Sequence, residues 1–349
     1  QGYDAVGIPR LILQKNLYGI EIDKRAAMLS SFALMMKARA KDKRFFTRGV
    51  RPNILEMQDV SFEPGEAKTY LDLVGQDLYT LDLWEGLQQF ENAKTFGSLI
   101  RPAIKDVPTL RERMRETRIF EDLLLSNTND KLLKVLEMSE YLSPRYQVVV
   151  ANPPYLSRRG MNTDLAEFMG ADFPDYKSDL FAAFIVKCSE LGINGSNIGM
   201  MSPNVWMYIS SHENLRNFLT TNQVLTSLVE LPLSGFKGAT VQICTFTFST
   251  KPDLKLSGNY IRLVDFKGGD EEMAEQTRNA IANHDCGWFY RASTQDFKKI
   301  PGTPIAYWVS DSVRDSFSFG IPFFDIGHPR VGMQTSNNDK YLKMWFEIC

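Results

Sequence analysis

The run YQVVVA at residues 146–151 stops at Asn152-Pro153-Pro154-Tyr155, and few features restrict a chain more. Val148 to Val150 are β-branched and read as a short buried strand. Pro153 and Pro154 then remove two backbone donors and stiffen the backbone behind it. The tetrapeptide makes a poor ordinary turn by these rules. The segment therefore predicts a rigid loop held at a strand end.

Strand and helix patterns alternate around it. Residues 9–16 predict a short helix. NLYGIEID (16–23) reads as a buried strand ending in acids. KRAAMLSSFALMMKARAKD (24–42) predicts a helix with its basic residues gathered at the C-terminal end. PNILEMQDV (52–60) reads as a second strand. From about 64 to 144 the segments are helical, charged on one side and apolar on the other, an insertion between strands. After 146–151 come a helix at 178–192, a strand at 197–203, a helix at 213–222 and a strand at 224–232. TVQICTFTFST (240–250) alternates well and can pair antiparallel with a neighbour. This order predicts an α/β fold, mostly parallel, with an antiparallel hairpin near one edge. From 256 to 349 the pattern weakens.

Composition narrows the function classes. Hydrophobic content of 44% and charged content of 23% fit a soluble globular protein. No apolar run approaches the ~20 residues needed to span a bilayer, so no membrane partner is expected. The start, QGYDAVGIPRL, shows no signal peptide. Cys188, Cys244, Cys286 and Cys349 are too scattered for a disulfide framework or a zinc knuckle, which favours a cytoplasmic location. With three histidines, no metal site is expected. A net charge of −2 counts mildly against a dedicated nucleic-acid binder, yet leaves room for a local basic groove. The chain opens without an initiating methionine and ends inside an amphipathic pattern, so a piece of a longer protein is expected.

NPPY after a hydrophobic strand resembles the signature of amino-methyltransferases. YGIEID, KSDLFAAFIVKC, GMMSPNVWM and SGFKGATVQICTFTF follow in the order of N6-adenine DNA methyltransferases of the gamma arrangement. More narrowly, NLYGIEIDKRAAMLSSFALMMKARAKDKRFF, the insertion with FGSLI, and IPGTPIAYWVSD resemble the large adenine methyltransferases of BREX phage-defence systems, the PglX type. The similarity covers nearly the whole chain. One departure stands out. The glycine-rich loop that this family places before the first of these strands is absent, and GYDAVG does not fit it.

The resemblance implies a Rossmann-like methyltransferase sheet with a helical insertion. Residues 1–62 would form its N-terminal part, 63–144 the insertion and 145–255 the catalytic part. Residues 256–349 would form an extension leading to a target-recognition region. It implies S-adenosylmethionine as cofactor, double-stranded DNA as partner and possible contacts with other phage-defence proteins. Glu21 would take the cofactor ribose hydroxyls, with Asp23 a competitor, and Ile22 would pack on the cofactor adenine. Asp59, or else Gln58, would bond the adenine amino group. The Asn152 side-chain carbonyl and the Pro153 backbone carbonyl would accept both N–H groups of the target amine, with Pro154 fixing the loop. Tyr155 would stack on the flipped base, and Phe236 would be a second aromatic contact. Arg158, Arg159 and Lys237 could meet phosphates. Two other readings remain open: a protein-glutamine or RNA amino-methyltransferase, and a non-catalytic module that binds DNA or defence partners.

Overall fold

The computed structural model describes residues 2–74, 81–104, 106–116, 123–233, 241–253 and 256–328. Strands β1 (Tyr18–Glu21) and β2 (Asn53–Glu56) pair in parallel as a two-stranded sheet. The second sheet holds β3 (Tyr146–Ala151), β4 (Gly192–Pro203), β5 (Val224–Glu230), β6 (Ile243–Ser249), β7 (Ser257–Arg262) and β8 (Phe289–Ser293) in the order β3-β4-β6-β5-β7-β8. Neighbours β3/β4 and β5/β7 are parallel, while β6 runs antiparallel between β4 and β5, and β8 antiparallel to β7. Four of the six strands therefore run one way, the α/β sheet that the alternating pattern predicts, but the antiparallel β6 lies inside the sheet between β4 and β5 rather than near one edge.

The helices are α1 (Lys24–Lys41), α2 (Glu66–Val74), α3 (Leu81–Gln88), α4 (Val107–Glu116) and α5 (Leu123–Tyr141) in the first half. They continue with α6 (Thr163–Asp172), α7 (Leu180–Leu191), α8 (Glu213–Thr221), α9 (Gly269–Ala282) and α10 (Asp311–Phe319). Asp23 caps α1 by accepting the Ala26 N–H, so this rival of Glu21 is committed to its helix. Residues 9–16 form a short helix, Ile8–Leu11, that widens into a π turn at Ile12–Asn16.

Three other expectations change. The strands at 16–23 and 52–60 do not join the strand at 146–151; β1 and β3 are edges of separate sheets that face one cleft. For the same reason β3 is not buried throughout: with one neighbour strand, Val148 and Val150 are 61% and 77% exposed. Residues 256–328 also hold more regular structure than their pattern suggests, because β7 and β8 extend the large sheet.

Among the described residues the two largest of four hydrophobic cores carry this architecture. The larger gathers Phe181, Ile185, Trp206, Phe246, Phe248 and Tyr260 around the six-stranded sheet. The other joins Tyr70, Leu87, Phe90, Leu132 and Leu136 of the insertion, and Ile20 and Leu55 of the small sheet pack against it. A two-stranded sheet is marginal alone, so the insertion helices supply the apolar surface that β1 and β2 need.

Candidate active site

The loop after β3 is braced by backbone bonds. Arg158 N–H donates to Ser178 O at 2.9 Å, and Leu180 N–H to Leu156 O at 2.9 Å. Ser157 and Asp179 pair as an isolated antiparallel bridge. The Asn152–Tyr155 segment is thus held between the end of β3 and the start of α7, with Pro153 buried and Asn152 exposed. The Tyr155 hydroxyl donates to Asn152 Oδ1 at 3.2 Å. That bond fixes the amide orientation and leaves Oδ1 a second lone pair to accept with. Burial raises the Tyr155 pKa above the ordinary phenol value, so the hydroxyl stays a donor at neutral pH.

Two hollows meet at this loop. One, about 520 Å³, lies between the facing edges of β1 and β3 and is lined by Glu21, Ile22, Gly97, Asn152, Pro153, Phe184 and others. The second, about 630 Å³, is lined by Tyr155, Ser157, Asp179, Phe181, Asn204, Leu233 and others. Asn152 to Pro154 face the first and Tyr155 the second, so the tetrapeptide forms the partition between them. Gly97 approaches Ile22 on the floor of the first hollow: its φ is +57°, and a Cβ there would lie 3.0 Å from Ile22 Cγ2.

Buried polar groups shape the second hollow. Glu230, buried at the end of β5, accepts from Asn204 Nδ2 at 2.9 Å, Tyr208 OH at 2.8 Å and Tyr307 OH at 2.7 Å. One carboxylate thereby ties the loop after β4 to the segment before α10. Removing it would leave three donors unpaired, at about 1–3 kcal/mol for each buried group. His212, 1% exposed, places Nε2 3.2 Å from Asp179 Oδ2 without the alignment of a full hydrogen bond. Burial, helped by Arg216, depresses the His212 pKa to about 4, so its ring is neutral. On the first hollow Lys187 is 3% exposed, and burial lowers its pKa to about 8.

The predicted residues fall into three groups. Glu21, Ile22, Asn152, Pro153 and Pro154 line the first hollow together, and Tyr155 lines the second. Glu21 Oε1 accepts the N–H groups of Ile22 and Asp23, at 2.8 and 3.0 Å, which fixes its carboxylate at the strand end. Asp59 is turned elsewhere: its Oδ1 accepts the Lys94 N–H at 2.8 Å, and it does not line the cleft. Gln58 borders a separate hollow with Asn53 and Tyr141. Arg158 and Arg159 are exposed in a single helical turn beside the second hollow. Phe236 and Lys237 lie outside the described residues. Asp179, Asn204, His212, Glu230 and Lys187 had no assigned role, and neither did Phe96 to Leu99, which bring the insertion to the cleft wall. FGSLI was the one signal for that last group.

The first hollow suits a nucleoside-bearing group. It sets a fixed carboxylate at a strand end, where open α/β sheets bind ligands, beside an exposed isoleucine and the loop. Among the described residues no three His, Cys, Asp or Glu side chains gather as metal ligands, and no helix is long and apolar enough to cross a membrane.

Sheet, loop and paired hollows define a methyltransferase-type α/β protein. The chain belongs to the Eco57I restriction-modification methylase family, whose model matches residues 15–236. It is 35% identical to the adenine-specific methyltransferase BrxX of Escherichia coli O9:H4 (strain HS), over 377 residues that take in 100% of this chain and 30% of the relative. It is 30% identical over 360 residues to the adenine-specific methyltransferase PglX of Lacticaseibacillus casei (strain Zhang), again covering 100% of this chain and 30% of that one. The chain thus spans about 30% of the length of these curated relatives. Among solved structures it resembles the ATP-dependent Type ISP restriction-modification enzyme LlaBIII bound to DNA. The TM-score is 0.44, with 12% identity over 80% of this chain and 17% of that one.

Proposed function

We propose that this chain is the catalytic part of an enzyme that methylates the N6 of an adenine flipped out of double-stranded DNA, with S-adenosylmethionine as donor, in phage defence. One observation carries the reading: a rigid Asn-Pro-Pro-Tyr loop separates two hollows, its acceptors on one side and its aromatic ring on the other. The adenine-specific names of BrxX and PglX support the choice of amine.

Bound in the first hollow, S-adenosylmethionine would supply an electrophilic methyl group. Glu21 would hold its ribose hydroxyls and Ile22 would pack against its adenine. The chain's own task is to make a weak nucleophile reactive. An exocyclic adenine nitrogen has its lone pair delocalised into the ring. Two acceptors, Asn152 Oδ1 and the Pro153 carbonyl, would take its two N–H bonds and favour a pyramidal nitrogen. Because the prolines and the backbone brace fix the loop, little reorganisation is needed during reaction. Tyr155 would stack on the extruded base, a contact worth about 1–3 kcal/mol, which offsets the unstacking cost of about a few kcal/mol. Arg158 and Arg159, exposed in the turn after the loop, would meet flanking phosphates.

The test is Asn152→Ala in the full-length protein. By analogy with the loss of one preorganised hydrogen-bonding group, 6-methyladenine formation should fall about 10²–10³-fold. Tritium from labelled donor, counted at adenine after digestion of unmodified genomic DNA, reads the rate. Undiminished labelling in a folded Asn152→Ala protein would sink the assignment.

A further inference from the structure

Asp179 occupies the N-cap position of α7 in extended backbone conformation, where Asp normally accepts a helix N–H. It makes no such bond. Its side chain instead borders the second hollow with Tyr155 and Asn204, and it is the one acid among the described lining residues. Forgoing a cap worth about 1 kcal/mol leaves the carboxylate free for another task. His212, 1% exposed behind it, packs against the side chain from the protein side, its Nε2 3.2 Å from Oδ2 though not aligned as a hydrogen bond. The Phe181 ring packs on that imidazole with centroids 5.3 Å apart. The bridge between Ser157 and Asp179 ties this position to the same loop that carries Asn152 and Tyr155.

We infer that Asp179 is a catalytic residue: its carboxylate receives the proton that the target amine releases when it is methylated, and His212 positions it. The inference rests on the function proposed above. The balance is simple. The N–CH₃ bond forms as the S–CH₃ bond of the sulfonium donor breaks, which leaves a neutral thioether and a positive nitrogen. That nitrogen must lose one proton to regain neutrality. Asn152 and Pro153 can accept hydrogen bonds but are far too weakly basic to keep a proton; the Asp179 carboxylate can hold it and pass it to solvent through the open hollow. A negative group there also stabilises the positive charge that grows on nitrogen in the transition state. Burial raises the Asp179 pKa above its ordinary value, which strengthens it as an acceptor.

Asp179→Asn keeps the shape and removes the charge; because the side chain caps nothing, the variant should fold. The full-length protein would be measured in single turnovers on genomic DNA from a host that lacks it, with tritiated donor. Affinity for the DNA by filter binding and for the donor by calorimetry would be read in parallel. The expected result is a fall of about 10²–10⁴-fold in the methyl-transfer rate, with both dissociation constants within threefold of wild type, and partial recovery in Asp179→Glu. A single-turnover rate within threefold of wild type would overturn the inference. So would a loss matched by weaker binding of donor or DNA. Should Asp179→Asn misfold, Asp179→Glu carries the test alone: a shifted carboxylate must slow transfer without weakening either affinity. If the wild-type protein transfers no methyl to adenine, the functional assignment itself fails, and this one with it.

Discussion

Helices α1 and α7 pack on the two sheets whose edges face one cleft, and they are buried to opposite extents. α1 packs on β1 and β2, and α7 on β3 and β4. Ten of the twelve residues of α7 are buried, whereas α1, with eighteen, buries only Ala27 and Ala38. Along α1, Met28, Leu29, Phe32 and Met36 are exposed. The difference follows from the sheets beneath them. Residues of α7 belong to the large core around the six-stranded sheet, which residues of α6 and α8 also join, while α1 packs on only two strands and leaves its outer face bare. The loop that needs rigidity is therefore mounted on the well-packed half. The half bearing Glu21 contributes a surface, fixed locally by two backbone N–H bonds to the carboxylate.

The sharpest test of this contrast is a core truncation on the packed side. Ile185 in α7 is fully buried among core residues. Ile185→Ala should lower the unfolding free energy by about 2–5 kcal/mol, from lost burial plus the cavity it leaves. Urea denaturation followed by circular dichroism would read it. A loss below about 1 kcal/mol would mean that α7 is no better packed than α1.

How far the sequence discloses this arrangement depends on the range of the contacts involved. The rigid loop is legible because its cause is local: β-branched residues, then two prolines. Helix α7 is legible because its apolar residues recur at short spacing. The separation of β1 and β2 from β3 is not, since strand pairing between distant segments leaves no mark in either segment. Val148 and Val150 read as core for the same reason; a β-branched run looks alike at a sheet centre and at an edge. β7 and β8 were hidden by their polar content, SGNYIR and FYRAS, although Tyr260 and Ala292 are buried. The polar framework is the hardest to foresee. Glu230 meets its partners 22, 26 and 77 residues away, and until the chain is folded it is an ordinary acid ending a strand.

Lys187 is a second probe of the packed side, and its effect should be smaller and opposite in sign. It is a buried cation on α7, and Glu190, which would temper it, is engaged by Arg101. Its folded pKa of about 8 lies below the ordinary lysine value of 10.5. Between those values the unfolded chain binds more protons, so stability rises with pH there, and the full penalty is present below about pH 8. Lys187→Met should raise stability at pH 7 by on the order of 2–3 kcal/mol. That advantage should shrink as pH rises from 8 toward 10.5. Denaturation midpoints of both proteins at pH 7, 8.5 and 9.5 would check it; a constant gap would refute the buried-cation account.

The smallest effect belongs to the bare helix. Phe32 in α1 is 58% exposed, and Met28, Leu29 and Met36 complete its apolar stripe. Phe32→Ala removes a side chain with little burial to lose, and alanine is the better helix former by a few tenths of a kcal/mol. The change in stability should therefore stay within about 0.5 kcal/mol, as for other surface positions. The same measurement, urea denaturation of the folded chain, applies here as for Ile185→Ala, so the two values compare directly. A loss above about 1 kcal/mol at Phe32 would show that the stripe is covered in solution. The two sides of the cleft would then be equally enclosed, and the contrast between them would vanish.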